Sequence, residues 1–145
     1  MSGGPLPLAG VKVVELARIL AGPWAGQTLA DLGAEVIKVE SPSGDYVREM
    51  TWPIIDGVSL LHLHINRGKK SLCLDLQSDQ GREVFNRLVA DCDIILHNLS
   101  PSAARKLGAT YQDCIRLNPD IIFCHIKGYG EGPLAEEVAS NPIAE

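Results

Sequence analysis

The sequence lacks long apolar runs, a surplus of positive charge and closely paired cysteines. No apolar run approaches the roughly 20 residues that cross a membrane, so no membrane-spanning helix is predicted. Acidic residues outnumber basic ones by 18 to 13, and the formal net charge of −5 is a poor match to nucleic-acid binding. Residues 1–5 combine neither a basic nor an apolar region, so no signal peptide is predicted.

The cysteines contain no Cys-x-x-Cys pair. Together with the missing secretion signal, this pattern is typical of reduced thiols in a cytoplasmic protein. We expect each cysteine to be a small buried side chain, with no metal or redox role: Cys73, Cys92, Cys114 and Cys124. The chain of 145 residues, 46% of them apolar, is long enough for one domain with a buried core, and its composition excludes a disordered chain.

Short β-branched segments alternate with helical segments in the first 40 residues. Residues 11–16 and 35–40 are predicted strands, and residues 23–32 between them are a predicted helix. Pro23 suits the first helical position, and Gly33 suits a left-handed cap after the last one. A strand–helix–strand unit of this length makes the two strands parallel.

The alternation returns in the second half of the chain. Strands are predicted at residues 71–75, 93–97 and 121–126, and helices at residues 79–90, 102–107 and 110–118. Thr110 has the capping-box spacing to Asp113. Residues 46–57 show no clear period, and residues 59–65 are too few to assign. The pattern predicts an α/β fold, a Rossmann-like open and mostly parallel sheet flanked by helices.

Ligands of such a sheet bind beyond the carboxyl ends of its strands, here residues 17–22, 41–45, 97–101 and 127–132. The first of these segments leads into a helix N-terminus, which attracts phosphate, but it carries only Gly22 and Gly26 of a dinucleotide fingerprint. Glu40 lies where a ribose-binding acid would lie, although an ordinary strand-end carboxylate is the simpler interpretation. These features predict a soluble α/β domain that binds a phosphorylated ligand.

Two polar clusters have competing interpretations. Arg67, Lys69 and Lys70 could meet phosphates, but a charged turn is more often solvated surface. His62 and His64 would share a face if their segment were a strand, which would suit a metal pair. No third ligand is spaced nearby, so we expect no metal site. The glycine-rich residues 127–133 could approach a ligand closely or serve as a connector.

The motifs at residues 7–16, 20–23, 29–40, 44–45, 66–72, 107–108, 118–119 and 127–130 occur in the order and spacing of one known family. On these motifs the chain resembles the N-terminal part of the class III CoA-transferases. That family includes formyl-CoA:oxalate CoA-transferase, carnitine CoA-transferase and α-methylacyl-CoA racemase. The resemblance implies a longer enzyme that is an interlocked homodimer, in which residues 1–145 form the Rossmann-like CoA-binding portion. The helix start at residues 141–145 is too short to be stable by itself, and we interpret it as truncation.

The resemblance also implies the site. Its substrates would be an acyl-CoA and a carboxylic acid, with no metal. Contacts to coenzyme A are implied at Ile19, Leu20, Ala21, Ser41, Leu74, Asn98, Leu99 and Lys106. Three of these positions depart from the family. Ser41 stands where many relatives carry Arg, Leu99 replaces an aromatic residue, and Lys106 keeps a positive charge without the bidentate fork of Arg.

The catalytic groups that the resemblance implies differ between transferases and racemases. In the transferases an Asp carboxylate attacks the acyl-CoA thioester, forming an anhydride and then an enzyme–CoA thioester, and its spacing places it beyond Glu145. In the racemases a His acts near residues 139–141, where Ser140 and Asn141 cannot abstract a proton. We therefore favour a transferase. The alternatives are a racemase-like enzyme, an NAD(P)-binding Rossmann domain and a non-catalytic module derived from the family.

Overall fold

A five-stranded parallel sheet organises residues 4–137, the part of the chain that the computed structural model describes. The elements in chain order are β1 Lys12–Leu16, α1 Ala21–Asp31, β2 Glu35–Glu40, α2 Val47–Met50, β3 Ile54–Ile55, β4 Val58–Ser59, α3 Leu60–Asn66, β5 Lys70–Cys73, α4 Asp79–Asp91, β6 Ile94–His97, α5 Pro101–Leu107, α6 Tyr111–Leu117 and β7 Ile122–His125. The large sheet has the strand order β5-β2-β1-β6-β7, and each neighbouring pair is parallel. This order confirms the predicted Rossmann-like fold. Successive strands are added on one side of β1 up to β5, and then on its other side from β6 onward. Such folds open a binding crevice at the point where the strand order reverses, here between β1 and β6.

The two faces of the sheet carry separate apolar cores. On one face, Val14, Phe85 and Ile95 pack with residues of α4 and α6. On the other face, Val13 and Leu96 pack against residues of α1. Neighbouring residues of one strand enter opposite cores because successive side chains of a strand point to opposite faces.

Helix α1 begins two residues earlier than predicted, so Pro23 is its third residue. The missing N–H still costs nothing, because the N–H groups of the first turn have no partner within the helix. A Cβ at Gly22 would lie 2.3 Å from the Cβ of Ala17, and a Cβ at Gly26 would lie 1.8 Å from a carboxylate oxygen of Glu15. Both glycines therefore allow α1 to pack closely on β1. Gly33 has a positive φ of +102° after the helix, as predicted.

Residues 46–66, which the sequence left without assigned structure, form α2, a small antiparallel hairpin and α3. Ser59 caps α3 by accepting the N–H of His62 at 3.1 Å. Because this segment is a helix, His62 is buried and His64 is exposed, so the hypothesis of a shared metal-binding face is wrong. No group of three or more His, Cys, Asp or Glu residues within residues 4–137 could hold a metal ion.

The cysteines divide into two kinds, and all four thiols are free. Cys92 and Cys114 lie in the larger core, and burial raises their pKa values to about 11 and about 12. Cys73 and Cys124 are exposed, so the prediction of burial is wrong for them. Both lie on the outermost strands, where a side chain has a neighbouring strand on only one side.

No helix within residues 4–137 is long and apolar enough to span a membrane. The predicted helix start at residues 141–145, and the segment 139–141 on which the racemase comparison depends, lie outside the described residues.

Candidate ligand-binding site

A cavity of about 510 Å³ opens at the carboxyl ends of the central strands, within the range of small-molecule sites. Its walls come from the loops after β1, β2 and β5 and from α5. Four of the predicted site residues line it: Ser41, Leu74, Leu99 and Lys106. The chain thus brings together, at the strand ends, residues that are as many as 65 positions apart (106 − 41).

The other four predicted residues do not line this cavity. Ile19, Leu20 and Ala21 form the junction between β1 and α1, where Ile19 has a left-handed backbone with φ of +68° and Leu20 is the N-cap of the helix. Asn98 follows β6 and directs its amide at the backbone of Arg18. Its Oδ1 accepts the Arg18 N–H at 2.9 Å, and its Nδ2 donates to the Arg18 carbonyl at 2.8 Å. The structure therefore shows Asn98 holding the β1–α1 loop.

Arg18 lines the cavity and was not among the predicted site residues. Its side chain makes no ion pair or hydrogen bond within the described residues, and the same is true of Lys106, the other basic residue of the lining. The cavity therefore offers two basic side chains that are free of intramolecular partners, and its lining also carries the carboxylate of Asp75, which accepts the Gln77 N–H at 3.0 Å. A signal for Arg18 was present in the sequence, because it is the basic residue of the segment that follows the first strand.

Glu40 lines the cavity, but its carboxylate already has partners inside the protein. Arg48 Nη2 lies 2.9 Å from Oε1 and 3.0 Å from Oε2, Ser71 donates to Oε1 at 3.1 Å, and the Asp45 N–H donates to Oε2 at 3.0 Å. Burial raises the pKa of Glu40, but the hydrogen bonds and charge of Arg48, together with the hydrogen bonds from Ser71 and the Asp45 N–H, leave the pKa below its usual value. Glu40 is thus a structural carboxylate, as the simpler interpretation held.

A buried ionic cluster of Glu15, Lys38, Asp45 and Lys69 lies beside the site. Lys38 Nζ is 3.2 Å from Glu15, 3.1 Å from Asp45 and 2.6 Å from the carbonyl of Ala17. Lys69 Nζ is 2.8 Å from Glu15, and it also donates to the carbonyl of Pro23 at 2.7 Å. Every side chain of the cluster is at most 3% exposed. The cluster ties together the loops after β1 and β2 and the first turn of α1.

The basic turn at residues 67–70 is engaged within the protein. Lys69 is buried in the ionic cluster, where burial lowers its pKa against the opposing effect of Glu15. The prediction of a solvated surface is therefore wrong for Lys69. Arg67 pairs with Asp31 at 2.7 Å and Lys70 pairs with Glu35 at 2.7 Å, both at the surface. None of the three lines the cavity.

His97 is buried at the end of β6, outside the cavity. Its ring stacks on His125 with centroids 4.2 Å apart, and its Nδ1 accepts the Leu99 N–H at 3.2 Å. Burial, together with the neighbouring His125, lowers the pKa of His97 to about 4. The imidazole is therefore neutral at physiological pH and acts as an acceptor for the loop that carries Leu99.

Comparison with known proteins points to one family. The model of CoA-transferase family III matches residues 8–145. The chain is 44% identical over 138 residues to succinate–glutarate CoA-transferase of Agrobacterium fabrum, covering 90% of this chain and 34% of that protein. It is 35% identical over 138 residues to formyl-CoA:oxalate CoA-transferase of Streptomyces coelicolor, covering 95% and 34%.

A solved structure shares the fold. The crystal structure of a CAIB/BAIF family protein from Brucella suis matches with a TM-score of 0.88 at 45% identity, covering 97% of this chain and 38% of that one. The chain spans about a third of the length of the curated relatives it matches. Because the family model matches nearly the whole of the chain, the protein belongs to CoA-transferase family III.

Proposed function

We propose that this chain binds the nucleotide part of coenzyme A and forms the N-terminal, CoA-binding portion of a transferase. That transferase would move CoA between an acyl-CoA and a carboxylic acid. The observation that carries the proposal is the cavity at the strand ends, in which the side chains of Arg18 and Lys106 make no ion pair or hydrogen bond within residues 4–137. Family membership and the names of the relatives support the reaction class.

The chemistry of the cavity matches that of a phosphorylated nucleotide. Leu74 and Leu99 provide half-buried apolar surface, on which an adenine ring can pack. Arg18 and Lys106 can each neutralise a phosphate, and charge-assisted hydrogen bonds of this type are stronger than neutral ones. Arg additionally offers a planar fork that matches phosphate geometry. A single bound nucleotide could therefore contact both the apolar and the basic residues of the cavity.

The alternative of an NAD(P)-binding domain has less support. Recognition of the ribose of NAD needs a free carboxylate at the end of the second strand. Glu40 occupies that place, but both of its oxygens accept hydrogen bonds from residues of the protein. Gly22 and Gly26 are accounted for by the close packing of α1 on β1.

The proposal extends to the localisation and the oligomeric state of the longer enzyme. Free thiols at all four cysteines suit the reducing cytoplasm. Three apolar residues on α1 and α3 are about half exposed: Trp24, Leu60 and Leu63. This exposed apolar surface supports a homodimer of the longer enzyme that covers these helices. By the spacing of the family that the chain resembles, the nucleophilic Asp would fall beyond Glu145. This chain alone should therefore bind CoA without catalysing transfer.

Isothermal titration calorimetry of the 145-residue chain with CoA and with NAD tests the proposal. We expect CoA to bind and NAD to show no comparable heat. Lys106→Gln should weaken CoA binding, whereas the matched variant Lys12→Gln should leave it unchanged, because Lys12 lies at the opposite end of the central strand and pairs with Asp91. Absence of CoA binding, equal binding of NAD, or efficient CoA transfer by this chain alone would overturn the proposal.

A further inference from the structure

The amide of Asn98 makes two hydrogen bonds to the backbone of a single residue, Arg18. The side-chain oxygen accepts the N–H and the side-chain nitrogen donates to the carbonyl, at 2.9 and 2.8 Å. A planar amide that bonds both backbone groups of one residue restricts its φ and ψ in the way that a neighbouring strand would. The residues are 80 positions apart and follow β1 and β6, the neighbouring parallel strands at which the strand order of the sheet reverses.

The residue immediately after Arg18 has an energetically unfavourable backbone conformation. Ile19 has φ of +68°, a left-handed conformation that is rare for a β-branched residue. Such a conformation persists only where the surrounding structure holds it. The Asn98 amide provides part of that support, since it fixes the residue that precedes the turn. The turn ends the strand at Leu16 and leaves Arg18 on the wall of the cavity.

The Arg18 side chain is exposed on that wall and has no partner within residues 4–137. Ser41, on the same wall, carries no charge, and Lys106 is the second cation. Only Arg18 can offer a bidentate fork to a phosphate in this cavity, because a Lys ammonium binds as a point charge.

Resting on the proposed function, we propose that Arg18 binds a phosphate group of CoA and that Asn98 is the positioning residue that holds Arg18 in place. Asn98 acts through the backbone of Arg18 and makes no essential contact with the ligand. The loop after β1 contributes to the site through a side chain, in addition to any contact from residues 19–21.

A double-mutant cycle on CoA binding by the 145-residue chain tests this proposal. Arg18→Gln should weaken CoA binding by about tenfold or more, the range of a lost charge-assisted hydrogen bond, and Arg18→Lys should be intermediate. Asn98→Ala should weaken binding in the presence of Arg18, and by less than about twofold in the Arg18→Gln background, since the two residues would act as one unit. Titration with 3′-dephospho-CoA shows whether Arg18 binds the 3′-phosphate or the diphosphate of CoA. If Arg18 binds the 3′-phosphate, Arg18→Gln should hardly change the affinity for this analogue.

Two control variants separate positioning from general structural damage. Asn118→Ala removes another amide that holds backbone, with bonds of 2.8 and 3.3 Å to the carbonyls of Cys92 and Val89, and it should leave CoA affinity unchanged. Arg116→Gln removes an exposed Arg of α6 that pairs with Asp113 and should also be neutral for binding.

The outcomes separate the inference from the proposed function. CoA affinity unchanged in Arg18→Gln would overturn the inference while leaving CoA binding intact. An equal loss from Asn98→Ala in both backgrounds would show that Asn98 affects CoA binding independently of Arg18, and would also overturn it. A wild-type chain that does not bind CoA would refute the proposed function itself. The exposed Arg18 variants should leave the fold intact, so they decide the role of Arg18 even should Asn98→Ala unfold the protein.

Discussion

Replacement of Lys38 by Met is predicted to destabilise the protein more than removal of any surface cation. The substitution keeps an unbranched side chain of similar length and deletes the ammonium group. Lys38 is 3% exposed and contacts Glu15, Asp45 and the carbonyl of Ala17. Glu15 would keep Lys69 as a partner at 2.8 Å, but Asp45 would lose its cation and Ala17 its donor.

The magnitude follows from the asymmetry of buried ion pairs. Forming such a pair gains little over an apolar pair, but removing one partner leaves an uncompensated buried charge and costs about 3–5 kcal/mol. A domain of this size has a free energy of unfolding of about 5–15 kcal/mol, so the variant should lose a large share of its stability. Lys38→Met combined with Asp45→Asn should recover part of this loss, because Asn keeps the Oδ1 acceptor for the Val47 N–H and removes the charge.

Equilibrium urea unfolding followed by circular dichroism measures the effect. Lys70→Met is the matched control, since Lys70 forms an ion pair of 2.7 Å with Glu35 but is 67% exposed. The control should shift the urea midpoint far less than Lys38→Met, because exposed ion pairs contribute little. Equal shifts in the two variants, or a double variant as unstable as the sum of its single changes, would refute the reasoning that burial sets the cost.

The remaining predictions concern a buried imidazole and a close approach between elements. The pKa of His97 is about 4 in the folded protein and about 6.5 when unfolded, so the unfolded chain binds the proton more tightly and stability should fall by about 3 kcal/mol as the pH decreases from about 6.5 to about 4. Urea unfolding of His97→Asn over this range should show a smaller fall, and an identical pH dependence would contradict the assignment. Gly26→Ala should lower the free energy of unfolding by about 1–3 kcal/mol, measured by thermal unfolding, because the added methyl group would overlap Glu15. Gly130→Ala, with nothing within 4 Å, is its control and should not change the melting temperature.

Elements with a long apolar period or clear capping residues were predictable from the sequence. The capping box of Thr110 and Asp113 is present at the start of α6, and Gly108 adopts a left-handed conformation after α5, where a short helix was predicted to end. Residues 46–66 were not predictable, because their short elements depend on distant contacts. Ser59, for example, donates a hydrogen bond to the carbonyl of Val47 at 2.5 Å while it caps α3.

The location of the cavity was predictable from the sequence, but part of its lining was not. The rule for strand ends places a ligand beyond β1 and β2, and the cavity lies there. The rule does not say which side chains face the cavity and which face the protein. Asn98 directs its amide to the backbone of Arg18, and Glu40 is occupied by Arg48, because each lies within hydrogen-bonding distance of a group that only the fold brings near.

The amino-acid sequence by itself determined the alternation of strands and helices, the parallel sheet and the family resemblance, because these depend on local patterns and on the order of motifs along the chain. Only the tertiary structure decided the ionic partners. Glu15 and Lys38 meet because they are paired in register on β1 and β2, and Lys69 joins them from the end of the turn before β5. A charged residue read in a sequence shows neither its burial nor its partner, since both depend on which strands become neighbours in the sheet.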